Sequence, residues 1–600
     1  MQQLFLAALG LMHRSAFRLS CVFNQYVLSI ESNFVSVNLL QHGLSYLWRG
    51  LMFRGFFRTS LFVGVAIFGI SACGVEPAVD GSSEVAAEPL VEVVATGANI
   101  AGANGMAFGP DGNLYVASVL GSNMSVLNPE SGEVIKVYGP EDGVIGPDDV
   151  AFGPDGSWYW TSIMTGEVAG FNADGEKVVA AQLTAGVNPI TFADDGRLFV
   201  SQCFFGTHLF EVDPKGLTAA RTISDDLGPG CGLNGMDWGP DQRLYGPRWF
   251  HQQVVSFDVD ANTMRVEAEG FNTPAAVKFD TNGVLHVLDT GAGVLFKVAD
   301  GENVPVAELS PGLDNFTIDA KGRYFVSSFT DGFVKRVNLD GSMTELQPGG
   351  MSHAGGLVYH NGVIVAADLH AIRAYEPSGA VAYVQRNVLG TGVMGGALNV
   401  STDGDNLVLV SWVDNDVRVW DPLNKQRLWQ KAGLAAPVAA VRFGGDIVVA
   451  EHGRKSVVGY DANGDETTVY ASGLGAPTGL VVDGDDLFVS DRATGQILQI
   501  AAAGVALAEP RVVIAGLTTP EGFVKRESAF AVVEADLGQV TIAGADDSKR
   551  VVANIPPGAQ AASAQQPPSQ IFNGITADEA GTLFVAGESN RVLYRVSGAF

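Results

Sequence analysis

Apolar runs of roughly four to seven residues, bounded by Gly, Asp, Asn and Pro, alternate with polar turns along the chain from about residue 90 onward. The clearest stretch is Asn234-Gly235-Met236-Asp237-Trp238-Gly239-Pro240-Asp241-Gln242-Arg243-Leu244-Tyr245. An apolar pair, a Gly-Pro-Asp turn and a second apolar pair predict strand, tight turn and strand. After about residue 75 no long apolar pattern of helical period appears, so helix is predicted to be minor.

The phrase recurs. Copies begin at Asn104, Asp148, Asn188, Asn234, Ala275 and Asp314, and weaker ones at Gly355, Gly396, Ala439, Thr478, Glu521 and Asn573. A period of roughly 40 residues holding several short strands predicts a β-propeller blade. Twelve copies give an all-β chain of tandem β-propellers, read as two six-bladed rings, with one larger ring or a seven-plus-five split as alternatives. The last copy ends after its third strand, while Leu90 to Ala95 is a strand-like run with no blade of its own. Propellers hide sheet edges by completing one blade with a strand from the other chain end. The expectation is that Leu90 to Ala95 completes the blade of Asp314 and that Met343 to Leu346 completes the last blade, placing the rings at 90–340 and 341–600.

Composition narrows the ligand more than the fold. The 600 residues exceed what one core serves, and 74 glycines suit a turn-dense β chain. A formal charge of −29 argues against nucleic acid or an anionic membrane surface as the main partner. A small polar molecule or a protein partner remains. No P-loop, His-Glu-x-x-His or Gly-x-Ser-x-Gly motif is present.

Met52 to Cys73 resembles a bacterial lipoprotein signal: Arg54 and Arg58 precede the apolar run Leu61 to Ile70, and Ile70-Ser71-Ala72-Cys73 matches the lipobox. The resemblance implies lipidation of Cys73 and a protein anchored in the bacterial cell envelope, facing periplasm or exterior, that meets the membrane only through its lipid. Residues 1–51 are then expected not to belong to the natural product, and residues 74–89 to form a flexible tether. Outside the leader only Cys203 and Cys231 remain. In a propeller their loops emerge on one face of neighbouring blades, which predicts a disulfide in an oxidising compartment.

The first residue of each repeat opens the innermost strand, which lines the central channel. In the first half these residues are Asn104, Asp148, Asn188, Asn234, Ala275 and Asp314. Such oxygen-bearing side chains, aimed at one axis, suit a hard divalent cation, although Asn and Asp at turns commonly cap backbone instead. The phrase from Leu233 to Trp238, followed by Tyr245 and by Val255-Ser256-Phe257-Asp258, resembles the segment of the gluconolactonase and regucalcin family that carries its metal-binding Asn. By position the resemblance implies Asn234 as a metal ligand, Asn104 and Asn188 as ligand-contacting residues, and a calcium or zinc ion. It places Ala275 where the family has its carboxylate base, so a lactonase would need Asp148, Asp237 or Asp314 as substitute, with Asp148 and Asp314 also as metal ligands.

In the second half the second strands end in Asp368, Trp412, Glu451-His452, Asp491-Arg492, Glu534 and Glu588. An acid repeated blade after blade predicts a scaffold role, tying loops through backbone N–H groups. His452 beside Glu451, with His370 and Arg492 on adjacent blades, resembles the acid–base equipment of streptogramin lyase propellers and would imply an elimination.

Overall fold

The inner strands of each blade are largely buried on both faces, which is the environment in which Val, Ile, Phe and Tyr prefer extended backbone, whereas outermost strands such as Val134–Tyr138 stay exposed; Asp-Gly and Asn-Gly turns between runs reverse the chain tightly. The computed structural model describes residues 19–23, 26–31, 34–39, 88–228, 230–390, 392–556 and 574–600. Residues 1–84 form a unit of their own, in which Leu19–Phe23, Tyr26–Glu31 and Phe34–Leu39 pair as an antiparallel meander. The Cys73 signal and most of the tether lie outside the described residues.

From residue 88 onward the described residues build twelve four-stranded antiparallel sheets, the blades. Blades 1 to 6 span Ala103–Tyr138, Pro147–Gln182, Val187–Ser224, Asp237–Glu269, Pro274–Glu308 and Leu313–Gln347. The inner strand of each touches that of the next, and the inner strand of blade 6 touches that of blade 1, so this ring closes on itself. Blades 7 to 12 start at Leu357, Asn399, Pro437, Pro477, Pro520 and Ile575 and close in the same way. The fold is a pair of six-bladed propellers.

Closure corrects the strand exchange expected from the sequence. Leu90–Thr96 pairs with Val592–Ser597 as the outer strand of blade 12, in the second ring, with Leu90 opposite Ser597 and Thr96 opposite Val592. Met343–Gln347 stays as the outer strand of its own blade 6. The physical reason is economy of edges: blade 6 already has four strands from contiguous chain, whereas blade 12 has only three and needs one more. The first ring is thus inserted between the clasp strand, Leu90–Thr96, and the rest of the second ring.

The repeated acids behave as the scaffold reading predicts. Asp368 accepts from the N–H groups of Ser352 and His353, Glu451 from Ala435, Asp491 from Gly475 and Ala476, and Glu534 from Thr518. Asp289 does the same for Asn272 and Thr273 in the first ring. Each acid pins the connection that enters its own blade, satisfying N–H groups that would otherwise be buried without partners.

The rings are tied by a buried ion pair. Arg373 in blade 7 donates to Asp368, to Asp331 Oδ1 of blade 6 at 2.9 Å and to the Thr330 carbonyl at 3.0 Å, and Arg386 meets Asp331 Oδ2 at 2.8 Å. Trp249 of blade 4 donates its indole N–H to the Leu389 carbonyl at 3.2 Å.

Candidate functional site

The bulges of the first ring aim its polar side chains. Strand pairing in blade 2 runs regularly from Phe152 to Val150 and resumes only at Pro147, so Asp148 and Asp149 fall in a register shift. The same shift spans Asn104 in blade 1, Asn188 in blade 3, Ala275 in blade 5 and Asp314 in blade 6. A bulge leaves its residue out of the ladder and turns the side chain away from the sheet face. In blade 4 Asn234 precedes the strand and is fixed by its N–H to the Pro247 carbonyl.

Asn104, Asp148, Asn188, Asn234 and Asp314 consequently line one cavity of about 550 Å³ that lies between the two rings. All are buried or nearly so, and among the described residues none of these five side chains makes a hydrogen bond to the protein. Asp148 Oδ1 is buried with no partner. Burial pushes the Asp148 carboxyl well above the usual carboxylate range, and the carboxylates of Asp314 and Asp149 push it further. Asp314 is raised the same way, by burial and by Asp149.

The neighbouring acids do cap backbone, and the contrast separates site from scaffold. Asp149 accepts from the N–H of Val150 and Ile190 and from the Asn315 carboxamide. Asp237, expected among the catalytic candidates, does not line the cavity: its carboxylate accepts from the N–H groups of Trp238 and Phe279, at 3.0 and 2.8 Å. It is corrected to a structural residue. Ala275 is buried against Cys203, Cys231 and Trp249 and offers no ligand.

Cys203 and Cys231 are joined in a disulfide with Cα atoms 4.0 Å apart. Beside it, Phe204 holds a left-handed backbone at φ 63° while its N–H bonds the Gly230 carbonyl. That geometry delivers Phe204 and Phe205 to the cavity wall, where Trp249, Phe329 and Leu369 complete an apolar surround.

The second ring brings His353, His370 and Arg591 to the same cavity. The Glu451–His452 cluster does not assemble: Glu451 accepts from the Tyr460 hydroxyl at 2.7 Å, His452 faces the Pro477 carbonyl at 3.1 Å, and Arg492 pairs with Glu521. His353 and Arg591 carried no sequence signal, since only the docking of two rings places them opposite the first hub. No protein-family model matches the chain, and no curated protein does. Solved structures do. Virginiamycin B lyase from Staphylococcus aureus shares 12% identity, covering 47% of this chain and 96% of its own at a TM-score of 0.34. A streptogramin B lyase shares 15%, covering 48% and 96% at 0.35. The extracellular domain of a putative hybrid two-component system from B. thetaiotaomicron shares 10%, covering 84% and 83% at 0.31. The fold assignment rests on the strand order above.

Burial lowers the pKa of His353 and His370 to about 4. Between the unfolded value near 6.5 and that folded value the native state binds fewer protons, so their stabilisation is complete above pH 6.5 and lost as pH falls toward 4. His370→Gln is expected to flatten the acid limb of a melting-versus-pH curve, by up to about 1.4 kcal/mol per pH unit. An unchanged limb would show that the ring is not held neutral.

Proposed function

We propose that the hub of the first ring binds a divalent cation of the calcium type, within a cavity that also admits a small polar ligand, in a protein anchored to the bacterial envelope by its lipid. The observation that carries this reading is the set of five oxygen-bearing side chains on one cavity that have no hydrogen-bond partner among the described residues, two of them carboxylates that repel each other. Two buried carboxylates and three carboxamide oxygens form a hard donor set, which suits calcium better than zinc. Among the described residues no group of three or more His, Cys, Asp or Glu is placed to hold a metal, so the carboxamides of Asn104, Asn188 and Asn234 must share the coordination. The Cys203–Cys231 disulfide supports an oxidising compartment, in keeping with the Cys73 lipobox.

Calorimetry with calcium chloride tests the site. Wild type is expected to melt about 5–10 °C higher at saturating calcium, and Asp148→Asn/Asp314→Asn to show no such shift. Without calcium the double variant should melt above wild type, because the repulsion is gone. No shift of wild type at roughly 10 mM calcium would end this reading.

A lactonase reading is supported by the Asn234 phrase. With Ala275 inert and Asp237 capping backbone, Asp148 and Asp314 are the acids of the predicted set left on the cavity to serve as base.

A further inference from the structure

The cavity wall built by the second ring has chemistry opposite to that of the first. Arg591 donates from Nε to the Ala98 carbonyl at 3.2 Å, and no ion pair of its guanidinium stands among the described residues. Of the carboxylates on that wall, Asp414 is held by its own ring while Glu588 stands beside His353. Glu588 Oε1 lies 3.5 Å from His353 Nε2, and Asp414 Oδ2 accepts from the Gly396 N–H and the Ser411 hydroxyl, each at 3.0 Å, with Arg418 Nη2 at 3.3 Å. The Nδ1 atoms of His353 and His370 are buried without partners, and His370 is only 8% exposed. A guanidinium without an ion pair and two imidazoles with unpartnered Nδ1 atoms are costly to bury on one wall unless something answers them.

We propose that Arg591, His353 and His370 form an anion subsite, and that the cavity's ligand is an organic carboxylate with an apolar body packed against Trp249, Phe204 and Phe329. Burial keeps both imidazoles neutral at pH 7, so Arg591 is the one cationic member of the three. One charge balances a carboxylate better than a phosphate dianion, and the planar guanidinium fork matches the carboxylate geometry. The apolar surround needs a hydrocarbon or aromatic body. The inference deepens the reading of the same cavity but does not require the cation.

Isothermal calorimetry on the full chain in EDTA separates the two. 4-Phenylbutyrate is expected to bind at least about tenfold more tightly than 4-phenylbutan-1-ol, which has the same body without the charge. Arg591→Met should erase that preference and leave the alcohol unchanged, while Arg591→Lys retains part of it. Asp148→Asn/Asp314→Asn should keep the preference even though it abolishes any calcium response. Equal binding of acid and alcohol by wild type, or no saturable binding of the acid at millimolar concentration, overturns the proposal whatever calcium does. If Arg591→Met does not fold, the wild-type comparison and Arg591→Lys decide.

Discussion

A chain beginning at Gly97 is expected to lose the second propeller while keeping the first. Without Leu90–Thr96, the strand Val592–Ser597 becomes an open edge, and the partly buried Val94 and Ala95 leave the core formed by Leu357, Tyr375 and Phe584. The ion pair of Glu92 with Arg595, at 2.7 Å, goes with them. An unsealed ring exposes a row of unpaired N–H and C=O groups, which favours aggregation. The first ring, Ala103–Gln347, draws all its strands from contiguous chain and needs nothing from the removed segment. Calorimetry should therefore show one transition lost and one retained, with a peptide of residues 88–97 restoring the lost one in trans. Two intact transitions in the truncated chain would mean that the clasp is ornamental.

Arg373→Met should have the next largest effect. Arg373 is 5% exposed, and its guanidinium joins Asp331 of the first ring to Asp368 of the second, so its removal leaves Asp331 with Arg386 alone and takes from the buried Asp368 its ion pair. Breaking such a pair from one side costs about 3–5 kcal/mol, or roughly 10 °C in melting temperature for rings of this size. Burial already raises the Asp368 carboxyl to about 6 despite Arg373. A folded pKa above the unfolded one gives stability that is complete at low pH and lost as pH rises through about 6; without Arg373 that loss extends to higher pH. The gap between variant and wild type should thus widen from pH 5 to pH 8, and Asp368→Asn in the same chain should recover part of it. A variant melting within about 2 °C of wild type would remove the ion pair from any role in joining the rings.

Much of the architecture is legible in the sequence because a propeller is a local object. Every blade but the twelfth is made wholly of strands adjacent in sequence, so the recurrence of phrases such as Asn234 to Tyr245 is enough to give blade count and inner strand. The acids at Asp368, Glu451, Asp491 and Glu534 are legible for the same reason, since each binds N–H groups about 16 residues upstream in its own blade. The candidate site is half legible. Asn104, Asp148, Asn188, Asn234 and Asp314 follow from register, but the sequence does not separate Asp237, which caps backbone, from Asp148, which does not.

The amino-acid order by itself determined the strand period, the number of blades and which side chains open each inner strand, because these depend on contacts within some tens of residues. Only the tertiary structure decided where Leu90–Thr96 goes, that the hub of the first ring faces Arg591 and His353, and that both share one cavity. Those outcomes join residues roughly 500 positions apart, such as Glu92 and Arg595, and are set by which sheet edge is left bare and by how two finished rings dock. No local pattern encodes either.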